Sequence, residues 1–336
     1  MTDRGDRGAA GPQPIPPDPE RVERLERATE SFRWKRLEKP HAPWHRRVAF
    51  SIADQFREYY MHEVPPWRVA LRQINVRDRV IPTFACIGAI RSGTSALSQH
   101  VFQHPCIVLP LAKEVHGFRH ADILSQMPTH RQLEPIRRKH GVAVTGYSTP
   151  VIPLLVWPFA ARAMNPSLRT VVILRDPVER TISHWQWEHH KLVSVGLADD
   201  PFWACIPKLP ERVRIEIEVL RGGGVGFPTV SGQGGGILEQ SIYAPFLKVL
   251  FDVMNRERIL VLNARDFYAD PIRIAKQIYA FLELPPFEPI ESREKNATPP
   301  VPGLDCDLDA VRASLRDFFK PHNDALFELI GTDWGW

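Results

Sequence analysis

The chain has 336 residues, with 43 Lys+Arg against 39 Asp+Glu, a formal net charge of +4, and only 4 Cys. A hydrophobic content of 43% excludes wholesale disorder, and so small a basic excess excludes a dedicated nucleic-acid binder. Cys86, Cys106, Cys205 and Cys306 form no C-x-x-C pair. That excludes a disulfide framework or a structural zinc site and points to a reducing, cytoplasmic location.

Residues 1–20 are polar and rich in Pro and Gly, without the apolar run of a secretory signal, and read as a disordered tail. Residues 21–81 read as a helical N-terminal extension. Trp34, Trp44, Phe50, Phe56, Tyr59 and Tyr60 are interleaved there with both charge signs. Basic residues with aromatics can bind single-stranded nucleic acid or a membrane surface. Glu23, Glu26, Glu30 and Glu38 dilute that character, so packing of the aromatics on the main body is expected instead.

The character changes at Pro82, where a domain over residues 82–336 is expected to begin. Residues 83–88 (TFACIG) form a short apolar run ending in Gly, followed by a helix pattern over 94–102. Residues 151–164 are the most apolar stretch, too short to span a bilayer and carrying Arg162, so a buried core helix is expected. A second strand, 170–174 (TVVIL), precedes Arg175-Asp176-Pro177 and another helix. Residues 221–236 (RGGGVGFPTVSGQGGG) hold eight glycines in sixteen positions and cannot keep regular structure; they read as a connector or as a mobile lid. An amphipathic helix over 237–254 then leads into a third strand, 259–262 (ILVL). Short apolar strands alternating with helices predict an α/β fold: a P-loop-like parallel β-sheet flanked by helices.

The segment Gly88-Ala89-Ile90-Arg91-Ser92-Gly93-Thr94-Ser95-Ala96-Leu97 follows the first strand directly. A G-x4-G spacing between strand and helix lets backbone N–H groups converge on a phosphate, helped by the positive end of the helix dipole. A nucleotide-triphosphate loop would continue with Lys, but Thr94 stands there, and the nearest cation is Arg91, inside the loop. Ordinary ATP hydrolysis is therefore disfavoured. After the second strand, Pro177 sits where a helix start tolerates it. Arg175 and Ser183, eight residues apart, could clamp a second phosphate.

Together these motifs resemble those of the sulfotransferases that use 3′-phosphoadenosine 5′-phosphosulfate (PAPS). Arg91-Ser92-Gly93-Thr94-Ser95-Ala96-Leu97 is similar to the family's 5′-phosphosulfate loop, R/K-x-G-T-[ST]-x-L. Leu174 through Ser183 match its 3′-phosphate motif, L-R-D-P-x-x-R-x-x-S, at every fixed position. His104-Pro105 and Lys113-Glu114-Val115-His116-Gly117-Phe118 resemble the H-P and K-E-x-H-F-F elements of the carbohydrate-type branch. Ser241-Ile242-Tyr243, Asp270-Pro271 and residues 281–285 and 329–336 are similar to its C-terminal half.

The resemblance implies that Arg91, Ser92, Gly93, Thr94, Ser95 and Ala96 surround the 5′-phosphosulfate. It implies that Arg175 and Ser183 hold the 3′-phosphate, with Tyr243, Arg293 and Lys295 as further donor-site residues. Glu114 is implied as general base and His116 as its support, with Arg91 neutralising charge on the leaving nucleotide. No metal is required. Two departures bear on the acceptor: Gly117 replaces the first Phe of K-E-x-H-F-F, and Ser148 stands where heparan-type members carry Lys. The implied acceptor is a small molecule, glycan or glycolipid. His189 and His190 lie near Trp185 and Trp187 on a predicted helix that could line its cleft or simply pack in the core. The competing readings are a P-loop small-molecule kinase and a non-catalytic nucleotide-binding scaffold.

Overall fold

The computed structural model describes residues 66–115, 120–152, 154–194, 208–224, 236–290 and 306–336. The expected tail, most of the extension, most of the Gly-rich stretch, His116, Gly117, Arg293 and Lys295 lie outside the described residues. The strands are β1 (Phe84–Gly88), β2 (Gly146–Pro150), β3 (Arg169–Leu174) and β4 (Ile259–Asn263). They form one sheet in the order β2-β1-β3-β4, with every pairing parallel.

β1 is buried along its whole length, and β3 along all but Arg169. Near-continuous apolar runs of this kind belong to parallel sheets covered on both faces. Alternation along each strand divides the core. Ala85, Ile87, Val172 and Leu174 face helices α5 (Trp157–Met164) and α8 (Ala244–Val253), packing on Trp157, Phe246 and Leu250. Cys86, Val171 and Ile173 face α2 (Thr94–Val101) and α10 (Pro271–Phe281), packing on Leu97, Val101 and Ile278. A third cluster joins α6 (Pro177–Ser194), α7 (Leu209–Arg221) and α11 (Leu308–Ile330) through Ile182, Trp185, Val213, Leu315 and Phe319.

Ahead of the sheet, α1 (Pro66–Gln73) ties the end of the extension to the segment after α3 (His120–Leu124). Arg72 donates to the carbonyls of Ser125 (2.6 Å) and Met127 (2.8 Å), and Arg79 also donates to Met127 (2.9 Å). The helix α4 (His130–His140) then leads into β2, and α9 (Ala264–Ala269) follows β4.

The three expected strands are present, but the structure corrects the sequence reading at three places. β2, GYSTP, has one Tyr and no aliphatic residue; it is a strand because it pairs with β1 and is buried on all sides. The stretch 151–164 becomes helical only at Trp157. Val151 and Ile152 donate instead to Gly88 O (3.0 and 3.2 Å), and Leu155, Val156 and Phe159 are exposed. Over 237–254, a short 3-10 turn at Glu239–Ser241 precedes α8, whose start is set by Pro245 in its first turn.

Strand order places β1 and β3 side by side, while the chain passes from β1 outward to β2 before returning. The crevice at their carboxyl ends is the topological switch point, where open α/β sheets bind ligands. The two motifs singled out in the sequence leave the sheet from these two strands.

Candidate anion-binding and catalytic site

The loop after β1 depends on close backbone approach. A Cβ on Gly88 would stand 2.7 Å from Ile173 O and 2.9 Å from Thr94 Cγ2, so glycine lets β1, β3 and α2 close together. Arg91 (φ 69°) and Gly93 (φ 101°) are both left-handed and turn the chain into α2 at Thr94. The first-turn N–H groups of α2 have no intrahelical acceptors and point to the side where an anion is favoured. A non-glycine residue held at positive φ, as Arg91 is, marks a place where surrounding structure over-determines the backbone. Ser92 is buried; its Oγ faces the Tyr243 hydroxyl without a hydrogen bond of good geometry.

The second motif is built from its own sequence. Asp176 caps α6 by accepting from Val178 N (2.8 Å), and Pro177 takes the first helical position. Spacing along α6 sets Arg180 and Ser183 on one face. Arg91 Nε donates to Ser183 Oγ (3.2 Å), and Arg175 Nη1 donates to Arg91 O (3.1 Å). The structure thus brings Arg91, Arg175 and Ser183 together at the switch point. Burial, and then the charge of Arg175, lower the Arg91 pKa below its ordinary value. Arg175 makes no ion pair among the described residues. Two cations held this close suit a multiply charged anion.

Glu114 lies on the other side of β1. Residues 113–115 run as an added edge beside β2, with Glu114 bridged to Ser148, Ser148 N donating to Lys113 O and Val115 N to Ser148 O (3.2 Å each). Lys113 is buried, forms an ion pair with Glu114 and donates to Ser95 Oγ (2.6 Å), which joins this edge to the start of α2. The Glu114 side chain keeps 36% exposure, so it can meet an acceptor entering from solvent. Thr94 is buried against Gly88, and Ala96 packs partly against the core. Ser148 is fully buried and brings no charge.

Tyr243 is fully buried, and its hydroxyl donates to Arg175 O (2.8 Å). It supports the end of β3 from within the core. Trp185 packs in the third core cluster, stacks near His189 (5.5 Å) and answers the blander of the two expectations; Trp187 is half-buried beside His184.

Three residues at the site were not assigned a role in the sequence. Lys113 was quoted only as a motif letter. Arg180, also a motif letter, is completely buried and donates to Ile90 O (2.9 Å), Ile237 O and Ser241 Oγ, clamping the loop to α6 and to the segment that re-enters at residue 236. Tyr268, on α9, has no sequence signal. It is 53% exposed, and its hydroxyl stands 2.7 Å from where a Cβ on Gly93 would sit.

Among the described residues, no group of three or more His, Cys, Asp or Glu side chains could hold a metal ion, and no helix is long and apolar enough to cross a membrane.

An α/β fold that brings Arg91, Arg175 and Ser183 together at its switch point, beside the start of α2, is of the P-loop-like class and can take a phosphate-like anion there. No family profile matches the chain. It is 22% identical over 321 residues to the membrane-associated sulfotransferase kil1 of Dictyostelium discoideum, covering 76% of this chain and 66% of that protein. It is 20% identical over 315 residues to human heparan sulfate glucosamine 3-O-sulfotransferase 5, covering 84% of this chain and 83% of that protein. The sulfotransferase of Alicyclobacillus acidocaldarius shares the fold, with a TM-score of 0.51 at 24% identity over 76% of this chain and 97% of that one. Over most of its length the chain is thus similar to sulfotransferases, in sequence and in fold.

Proposed function

We propose that this protein transfers the sulfuryl group of PAPS to a hydroxyl or amine of a carbohydrate, glycolipid or secondary-metabolite acceptor. The observation that carries the reading is the convergence of Arg91, Arg175 and Ser183 at the β1/β3 switch point. Sulfuryl transfer, like phosphoryl transfer, asks the protein mainly for alignment and charge stabilisation. The loop from Ser92 to Ala96 holds the 5′-phosphosulfate on the first-turn amides of α2. Arg175 and Ser183 hold the 3′-phosphate, which distinguishes this donor from ADP and ATP.

In the step, the acceptor oxygen or nitrogen attacks sulfur in line. The new bond to sulfur forms as the bond from sulfur to the bridging oxygen breaks, and the acceptor's proton passes to the Glu114 carboxylate. Charge gathering on the departing 3′-phosphoadenosine 5′-phosphate is met by Arg91. His116, Arg293 and Lys295 keep the roles their motif positions imply, orienting the base and adding charge at the 3′-phosphate. Among acceptors, a glycan is supported by the likeness to the heparan sulfate enzyme. Ser148, uncharged and buried, argues for an acceptor other than heparan itself. A cytoplasmic location is supported by the free thiols of Cys86, Cys106 and Cys306. The kinase reading is disfavoured because Thr94 stands where the triphosphate loop needs Lys.

The test is thermal unfolding with 3′-phosphoadenosine 5′-phosphate, ADP or ATP-magnesium, since a ligand bound only to the folded state raises its stability by mass action. The 3′-phosphorylated nucleotide should stabilise most, without magnesium. Equal or greater stabilisation by ATP-magnesium would overturn the reading. A screen of extracts with 35S-labelled donor, followed by mass spectrometry of the labelled product, then identifies the acceptor.

A further inference from the structure

The geometry points to Lys113 as the residue that binds the sulfuryl oxygens of the donor and holds Glu114 beside them, an inference that rests on the donor reading above. Its side chain is only 4% exposed, although taking an ammonium out of water costs several kcal/mol per ion. The companion carboxylate is 36% exposed and shares its charge with solvent, so this ion pair alone is a poor reason to bury a lysine. An ammonium carries three N–H donors. One goes to Ser95 Oγ at 2.6 Å and one to Glu114; the third has no acceptor among the described residues.

Where that ammonium sits decides what it is for. Ser95 is the second residue of α2, on the turn whose amides face the anion. A triphosphate loop brings its lysine to this region from the first position of the helix, which here is Thr94. In this fold the cation arrives from a different segment, 18 residues further along the chain. Its backbone is fixed on the sheet edge by the Ser148 N to Lys113 O bond, so the side chain's reach is set by β2 and not by a loop.

A cation placed between the loop and the base meets the donor at its sulfuryl end. The ammonium keeps its protons throughout. Its spare N–H binds a non-bridging sulfuryl oxygen, while the bond to Glu114 keeps the carboxylate turned toward the acceptor proton. Arg175 and Ser183 recognise the 3′-phosphate, which donor and product share. Lys113 recognises the group that only the donor carries.

That difference supplies the test. Dissociation constants for PAPS and for 3′-phosphoadenosine 5′-phosphate are measured by titration calorimetry on the wild type, Lys113→Met and Lys113→Cys before and after aminoethylation. Hydrogen bonds to charged groups correspond to about a 10- to 100-fold change in binding. Lys113→Met should lose about that much affinity for PAPS and less than about 3-fold for the product nucleotide. Aminoethylation of the cysteine variant, which rebuilds an ammonium of nearly the same length, should restore the preference. Equal losses for both nucleotides, no loss for PAPS, or no recovery on aminoethylation would overturn the inference. Wild-type protein that binds neither nucleotide overturns the donor reading itself, an outcome no Lys113 variant can imitate.

Discussion

Arg180→Met removes a guanidinium that is completely buried between the anion loop, α6 and the segment around residue 237. The wild-type side chain donates to the carbonyls of Ile90 and Ile237 and to Ser241 Oγ, and engages His184 Nδ1 at 3.1 Å. Burial lowers its pKa to about 10, which still leaves it charged at neutral pH. Methionine fills most of the volume but donates nothing, so two main-chain carbonyls lose their donor inside the core. Each costs about 1–3 kcal/mol. Relief from burying a cation offsets part of this, leaving a net loss of about 3 kcal/mol. For a chain of this size each kcal/mol corresponds to roughly 2–4 °C in Tm, so melting should fall by about 6–12 °C. Because Ile90 precedes Arg91, affinity for 3′-phosphoadenosine 5′-phosphate should fall as well. Circular dichroism melting together with nucleotide titration measures both. A variant that melts within about 2 °C of wild type and binds the nucleotide normally would refute the clamp.

Arg175→Ala should weaken 3′-phosphoadenosine 5′-phosphate by about 10- to 100-fold, the range for a lost charged hydrogen bond, and leave ADP nearly unchanged in the same titration. Glu114→Gln should abolish sulfuryl transfer in the 35S assay while retaining nucleotide affinity; unchanged turnover would remove Glu114 as base. Stability should also depend on pH through His184. Its folded pKa is held well below 6.5 by burial and by the charges of Arg180, Arg212 and Arg91. Below pH 6.5 the unfolded chain therefore takes up a proton that the folded one refuses, and stability falls with pH by at most about 1.4 kcal/mol per unit. Above pH 6.5 both states are neutral at this site and the effect vanishes. Urea unfolding between pH 5.5 and 7.5 should show a shallower slope for His184→Gln, which still offers Arg180 an acceptor; an identical slope would refute the assignment.

Strands β1 and β3 were readable because they are buried on both faces, and such strands are written as unbroken apolar runs; β4, at the sheet edge with Leu260 and Val261 only partly buried, still carries the apolar run ILVL. β2 was not, because its five residues owe their conformation to pairing with β1 and with the 113–115 edge, and pairing leaves no pattern in GYSTP itself. The anion loop and the α6 start were legible for local reasons: G-x4-G turns, an Asp cap and a Pro at the first helical position act within a few residues of chain. Arg180 and Lys113 were quoted but not understood. Their partners, Ile237 and Ser95, are 57 and 18 residues distant, and a contact made across the fold cannot be read from spacing. Tyr268 approaches Gly93 only because β4 lies next to β3, which places α9 at the same end of the sheet.

Of the proposed donor contacts, Arg91, Arg175 and Ser183 follow the two strands at the centre of the sheet, whereas Lys113 and Glu114 ride on the edge segment paired to β2. Changes to that outer edge alter what faces Glu114 without disturbing the packing of β1 against β3. A lineage built on this plan can exchange one acceptor for another by rewriting the border around Lys113 and Glu114, and the contacts of Arg91, Arg175 and Ser183 pass through the change intact. The Lys113–Ser95 bond ties that border to the start of α2, and it limits how far the border can drift from the anion loop.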